Sequence, residues 1–180
     1  MIPQHLSQSN EHYTPDQIVI PARRVLGQID LDPASSAAAN ERVQAETFFS
    51  IAEDGLSKDW FGNVFLNPPG GRVLPKKNHY GMRSSAAVWW AKLADEYTAG
   101  RVKQAIFVGF SIEIMRTAQK HPTLQPLDFS FCVPSRRIAF ITPLGKAGKS
   151  PTNANVIVYM GENKDEFFEE FRHLGRVVLL

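Results

Sequence analysis

The chain has 180 residues, of which 43% are apolar and 21% charged, with a formal net charge of +2. That composition excludes disordered, collagen-like and fibrous proteins and suffices for one domain, 1–180, with a sizeable core. The single cysteine, Cys132, excludes a disulfide framework and a cysteine-rich zinc site. No apolar run reaches the roughly 18 residues of a membrane span, and the polar leader 1–12 is no secretory signal, so no membrane contact and a cytoplasmic location are expected.

After that leader, Thr14-Pro15-Asp16-Gln17 predicts a helix start. Thr14 is the expected N-cap, Pro15 takes the first helical position and Gln17 closes a capping box. Ile18, Ala22, Val25 and Leu26 mark one apolar face that ends at Gly27, with a kink or short first turn expected at Pro21. A short strand over 28–32 stops at Pro33, an Ala-rich helix covers 36–43, and 47–49 predicts a second strand. Asn63-Val64-Phe65-Leu66 is an apolar strand running into Asn67-Pro68-Pro69-Gly70-Gly71, where no regular element continues. The stretch 70–85 is a long Gly, Pro, Lys and Arg loop of the kind that carries function. A helix over 84–99 places Ala86, Trp89, Trp90, Leu93 and Tyr97 on one side; a strand over 104–110 and a helix over 111–119 follow. Strands are predicted at 129–133, 138–141 and 155–160, then a helix capped by Asn163 with Phe167, Phe168, Phe171 and Leu174 inward, and an edge strand over 177–180. Strands alternating with helices predict an α/β fold with a mostly parallel central sheet and helices on both faces.

Charge is unevenly distributed. No acid falls between Trp60 and Ala94, where Arg72, Lys76, Lys77, Arg83 and Lys92 lie, or between Phe129 and Gly161, where Arg136, Arg137, Lys146 and Lys149 lie. The acids gather instead at Glu162, Asp165, Glu166, Glu169 and Glu170. Both basic segments are candidates for phosphate contact, and equally for solvated loops. Gly148-Lys149-Ser150 is no phosphate loop, because Pro143 stands where its first glycine belongs. His5, His12, His79, His121 and His173 have no metal-ligand spacing.

Asn67-Pro68-Pro69 is the strongest local signal, at the carboxyl end of a strand, where open α/β sheets bind ligands. Successive prolines remove two donors and stiffen the chain, leaving the Asn67 side-chain oxygen and the Pro68 carbonyl as fixed acceptors. Two acceptors aimed at an aromatic amine favour a pyramidal nitrogen able to attack an electrophilic methyl group. The same tripeptide also serves as an ordinary turn.

Context extends this signal. Tyr13-Thr14-Pro15, Ile29-Asp30-Leu31-Asp32-Pro33-Ala34-Ser35 with Asn40, Asp54-Gly55-Leu56, Trp60-Phe61-Gly62 and Val64 to Pro69 occur in this order, followed by Trp89-Trp90, Arg137-Ile138-Ala139-Phe140 and Ser150-Pro151. In this order the chain resembles the phage-type DNA N6-adenine methyltransferase (Dam) family. The resemblance implies a Rossmann-like methyltransferase fold, S-adenosylmethionine as cofactor, no metal, double-stranded DNA as partner, and a phage or prophage origin. It implies a catalytic role for Asn67, Pro68 and Pro69 and cofactor contacts from Thr14, Pro15, Asp32, Pro33, Ser35 and Asp54, of which Thr14 and Asp32 also read as helix caps. Gly70, Arg72, Lys76, Lys77, Tyr80, Arg83 and Arg137 would face DNA. One departure stands out: an aromatic residue normally follows the second proline, and here it is Gly70. Tyr80, His79, Trp89 or Trp90 would have to supply the stacking; otherwise the chain is an inactive module of the same fold, or acts on RNA or a small amine. No separate target-recognition domain is expected, so base selection falls to the basic loops, a second copy of the chain in a homodimer, or a partner.

Overall fold

Apolar spacing builds the first helix, α1 (Asp16–Leu26), whose Ile18, Val19, Ala22, Val25 and Leu26 are all buried. The structure, a computed structural model, describes residues 12–74, 76, 78–120, 124–146 and 153–180. Most of the leader, Lys77, His121, Lys149 and the Ser150-Pro151 pair therefore lie outside the described residues.

After α1 the chain forms β1 (Leu31–Asp32), α2 (Ala37–Val43), β2 (Thr47–Phe48), β3 (Gly62–Leu66), α3 (Ser85–Thr98), β4 (Val102–Gly109), α4 (Ile114–Thr117), β5 (Ser130–Pro134), β6 (Val156–Met160), α5 (Lys164–Phe171) and β7 (Gly175–Val178). The strands make one seven-stranded sheet in the order β2-β1-β3-β4-β6-β5-β7. It is an α/β fold with a mixed sheet. Pairing is parallel from β2 through β4 and antiparallel from β4 onward.

Alternation along the strands divides the core in two. Val64, Leu66, Ala105 and Phe107 pack with Trp60, Trp89, Trp90, Leu93, Ile114 and Met115 on the α3 side. Phe65, Ile106 and Val108 pack with Ile18, Ala22, Val25, Phe167 and Phe171 on the α1 and α5 side. Helices thus cover both faces, as the strand-helix alternation predicts.

Local expectations and outcome differ at identifiable places. The helix runs unbroken through Pro21, and its N-cap residue is Pro15, without a side-chain cap. The Pro15 carbonyl instead accepts from the Ile18 and Val19 N–H groups at 2.9 and 3.2 Å. Segment 138–141 forms no strand. Both edges of β6, the strand that follows it in the chain, are occupied by β4 and β5, and this apolar stretch makes a single antiparallel bridge, Ile141 to Tyr13. The helix after β4 is one turn long, continued by a 3-10 turn over Ala118–Lys120. Phe168, expected inward, is 36% exposed, with the Arg172 guanidinium over its ring. Among the described residues, no helix is long and apolar enough to cross a membrane, and no cluster of His, Cys, Asp and Glu is placed to hold a metal ion.

Candidate functional site

Strand order locates the site before any side chain is considered. From β1 the chain crosses to β2 on one side and then to β3 on the other, so the order reverses between β1 and β3. Outside the carboxyl ends of two such strands a crevice opens where ligands of α/β proteins bind. Asp32 ends β1 and Asn67 follows β3, at that crevice. Strand β5 runs parallel to β4 through two antiparallel pairings, so Ser135-Arg136-Arg137 leave the sheet at this same edge.

Asn67 is half-buried, and its Nδ2 donates to Thr14 Oγ1 at 3.0 Å. This bond unites the two sequence-predicted motifs at the start of α1 and the end of β3. Thr14 is 4% exposed, and its neighbour Tyr13 exchanges backbone hydrogen bonds with Ile141 at 2.7 and 2.9 Å. With Nδ2 committed, the Asn67 carbonyl oxygen is the half of the amide left for a ligand. Thr14 is thus not the helix cap expected of it: the helix begins a residue later, and the hydroxyl takes a tertiary partner instead. Pro68 is buried and Pro69 exposed.

Asp32 is 3% exposed, and burial pushes its carboxyl up to about 7, against the smaller opposing pull of the Ser35 hydroxyl and the Ala34 amide. The Ala34 N–H donates to Asp32 Oδ1 at 3.2 Å. Ser35 Oγ is buried without a hydrogen-bond partner of normal geometry. A buried carboxylate beside an unsatisfied hydroxyl suits a ligand with a cationic amine and further polar groups, so the residues fit the polar end of S-adenosylmethionine. Ser36, rather than Asp32, caps α2, accepting from the Ala39 N–H at 3.2 Å. Pro33 is buried, and the turn at Gly55 abuts its carbonyl, which places exposed Asp54 beside the end of β1. Other landmarks are structural: Asn40 closes the turn after α2 through Ala45, and Trp60 Nε1 donates to the Gly55 carbonyl at 2.8 Å.

The expected loop after Pro69 is partly ordered by its own pairing, Arg72 bridging Ser84 and the Val73 N–H donating to the Arg83 carbonyl at 2.9 Å. Arg72, Lys76 and Arg83 are exposed, as are Arg136, Arg137 and Lys146, so both acid-free segments present cations. Lys92 is the exception: its Nζ pairs with buried Glu96 at 2.5 Å and lies over the Trp60 ring. Tyr80 packs on the α3 side, and its hydroxyl donates to Asp95 at 2.7 Å; His79 meets that ring edge-on. Burial and the Asp95 carboxylate raise the Tyr80 phenol. Trp89 and Trp90 are buried in the same core. None of the four aromatics considered for stacking shares the face that carries Asn67.

Two residues at this edge escaped the sequence reading. Asn155, 3% exposed, donates from Nδ2 to the Phe110 carbonyl at 3.0 Å and accepts the Ile138 N–H at 3.3 Å, holding two loops together. Phe110, 45% exposed, reads in the sequence as the last apolar residue of a buried strand; only the register with β3 reveals that it emerges beyond the edge. Compared with known proteins, the chain matches no family model, no curated protein and no solved structure.

Proposed function

We propose that this chain transfers the methyl group of S-adenosylmethionine to N6 of adenine in double-stranded DNA, with the Rossmann-like methyltransferase fold of the phage-type Dam family. One observation carries the reading: the Thr14–Asn67 hydrogen bond orients the Asn67 amide at the mouth of the crevice that also holds buried Asp32.

S-adenosylmethionine, when bound, supplies an electrophilic methyl group. Asn67 Oδ1 and the Pro68 carbonyl accept the two protons of the exocyclic amine, which draws its lone pair out of the ring and makes the nitrogen a nucleophile. The consecutive prolines hold both acceptors still, so little reorganisation is needed as charge develops. Asp32, when ionised, receives the cofactor's ammonium, with Ser35 and the Ala34 region completing that end. Asp54, exposed at the turn beside the end of β1, would contact the cofactor's adenine. Arg72, Lys76, Arg83, Arg136 and Arg137 contact phosphates and position the duplex without reading its sequence.

The test is tritiated methyl transfer to unmethylated DNA beside an Asn67→Ala control, with a loss of about 100-fold or more expected. Transfer that survives Asn67→Ala would remove the assigned site. Cofactor binding without transfer to any nucleic acid would leave the chain a non-catalytic module of this fold.

A further inference from the structure

A base drawn out of a duplex loses its stacking partners and needs a flat surface in return. Gly70, after the second proline, offers none. Trp60, Trp89 and Trp90 are buried in the α3-side core, Tyr80 is packed onto that core, and Phe140 is only 6% exposed. Phe110 differs from all of these.

Its position follows from register. Phe107 on β4 is the parallel partner of Leu66 on β3. That pair is the last of the β3–β4 ladder, so Phe110, three residues beyond Phe107, and Pro69, three beyond Leu66, both leave the sheet at the same carboxyl edge. Alternation places it on the α1 side: Ile106 and Val108 face that core, and the Phe110 ring meets buried Phe140 of the same core edge-on, with centroids 6.2 Å apart. Asn67, bonded to Thr14 at the start of α1, is on this side too. The backbone at Phe110 is held at two points, by Asn155 Nδ2 on its own carbonyl and by the Ile112 N–H on the Ala154 carbonyl at 2.7 Å. A large apolar ring, supported from behind, anchored in its backbone and left 45% exposed, is a platform without its load.

We propose that Phe110 is the surface against which the target adenine stacks while Asn67 and Pro68 hold its amine, replacing the aromatic that Gly70 does not supply. The proposal rests on the methyltransferase reading above for the identity of the base. Its geometry makes one further demand. A Cβ built on Gly70 meets nothing within 4 Å and its φ is not positive, so a ring introduced there has room and bears no backbone strain.

The experiment uses the full chain and the variants Phe110→Ala, Phe110→Leu, Phe110→Tyr, Phe110→Trp and the double variant Phe110→Ala/Gly70→Tyr. Methyl transfer to duplex DNA is expected to lose about tenfold to 100-fold in kcat/KM for DNA in F110A and F110L, at nearly unchanged KM for S-adenosylmethionine. F110Y should stay close to the parent, and Gly70→Tyr should recover part of the loss in F110A. F110L keeps an apolar contact with Phe140, so its full activity would show that Phe110 merely fills space and would overturn the proposal. A binding arm needs no turnover: the fluorescence of F110W, less that of the parent, is followed on adding single-stranded d(A)10 or an abasic decamer at saturating S-adenosylhomocysteine. Quenching by d(A)10 alone is expected; an equal or flat response overturns the proposal. If the parent transfers no methyl group to DNA, the Asn67 reading fails by itself, and the quench alone then decides whether Phe110 receives a nucleobase.

Discussion

Thr14 is a case where a long-range hydrogen bond displaces a local one. Its hydroxyl suits an N-cap, but the helix starts at Asp16 and Pro15 occupies the cap position, so the oxygen is free to receive Asn67 Nδ2. Thr14→Val removes that acceptor at constant shape. We expect kcat for methyl transfer to fall by about tenfold, with cofactor affinity nearly unchanged and with Thr14→Ser close to the parent. An equal loss of cofactor affinity, measured by calorimetry, would place Thr14 on the cofactor instead. Asp32 makes an opposite kind of demand. Its folded-state value of about 7 lies above the ordinary 3.8, so between those pH values the folded chain binds more protons than the unfolded one, and stability declines as pH rises through that window. Holding the ionised carboxylate costs at most about 4 kcal/mol above pH 7. Asp32→Asn should therefore be more stable than the parent at pH 8, with the difference gone below pH 4, in denaturant titrations. Cofactor affinity should run the other way, weakening in the parent as pH drops below about 7. The residue types of this site were legible in the sequence because Asn-Pro-Pro and the Asp-Pro segment carry their chemistry locally. Phe110 was not, because an apolar residue at the end of an apolar strand has no local mark; its exposure follows from register with another strand.

Elements were legible where packing and local preference agree. The apolar faces of α1 and α3 and the strands β3, β4 and β6 combine the right period with deep burial. Segment 138–141 has strand-like composition, but β6, the strand next to it in the chain, already has a strand on each side, a fact of sheet order that no local pattern contains. The turn after β2 shows the reverse, a weak local signal fixed by a close approach. A Cβ on Gly55 would stand 1.9 Å from the Pro33 carbonyl oxygen and 3.3 Å from the Trp89 ring. Backbone cannot yield there without shifting the end of β1, where Asp32 lies. Gly55→Ala should thus cost about 2 kcal/mol or more and lower Tm by several degrees. It should also weaken cofactor binding beyond what the stability loss explains, in thermal melts and binding titrations at a temperature where the variant is fully folded.

For the whole molecule, the small net charge conceals a polarity. The acidic residues of α5 lie on the helix that packs against α1, where Glu170 pairs with Arg24, while the exposed cations belong to the two acid-free segments that leave the sheet after β3 and β5. Binding to duplex DNA should therefore weaken steeply with salt, and the pair Arg72→Ala and Arg83→Ala should lower the slope of log K against log salt by about 2, equally on unrelated sequences. A slope unchanged by both substitutions would move the duplex off the hairpin. The Tyr13–Ile141 pairing bears on how such a chain comes into being. Asp32 and Asn67 leave the ribosome early, yet the bridge that seats Thr14 beneath the Asn67 amide waits for a segment near the other end. Truncated or prematurely cleaved products thus hold the acid and the amide without their alignment, so the site is aligned only once synthesis has passed Ile141.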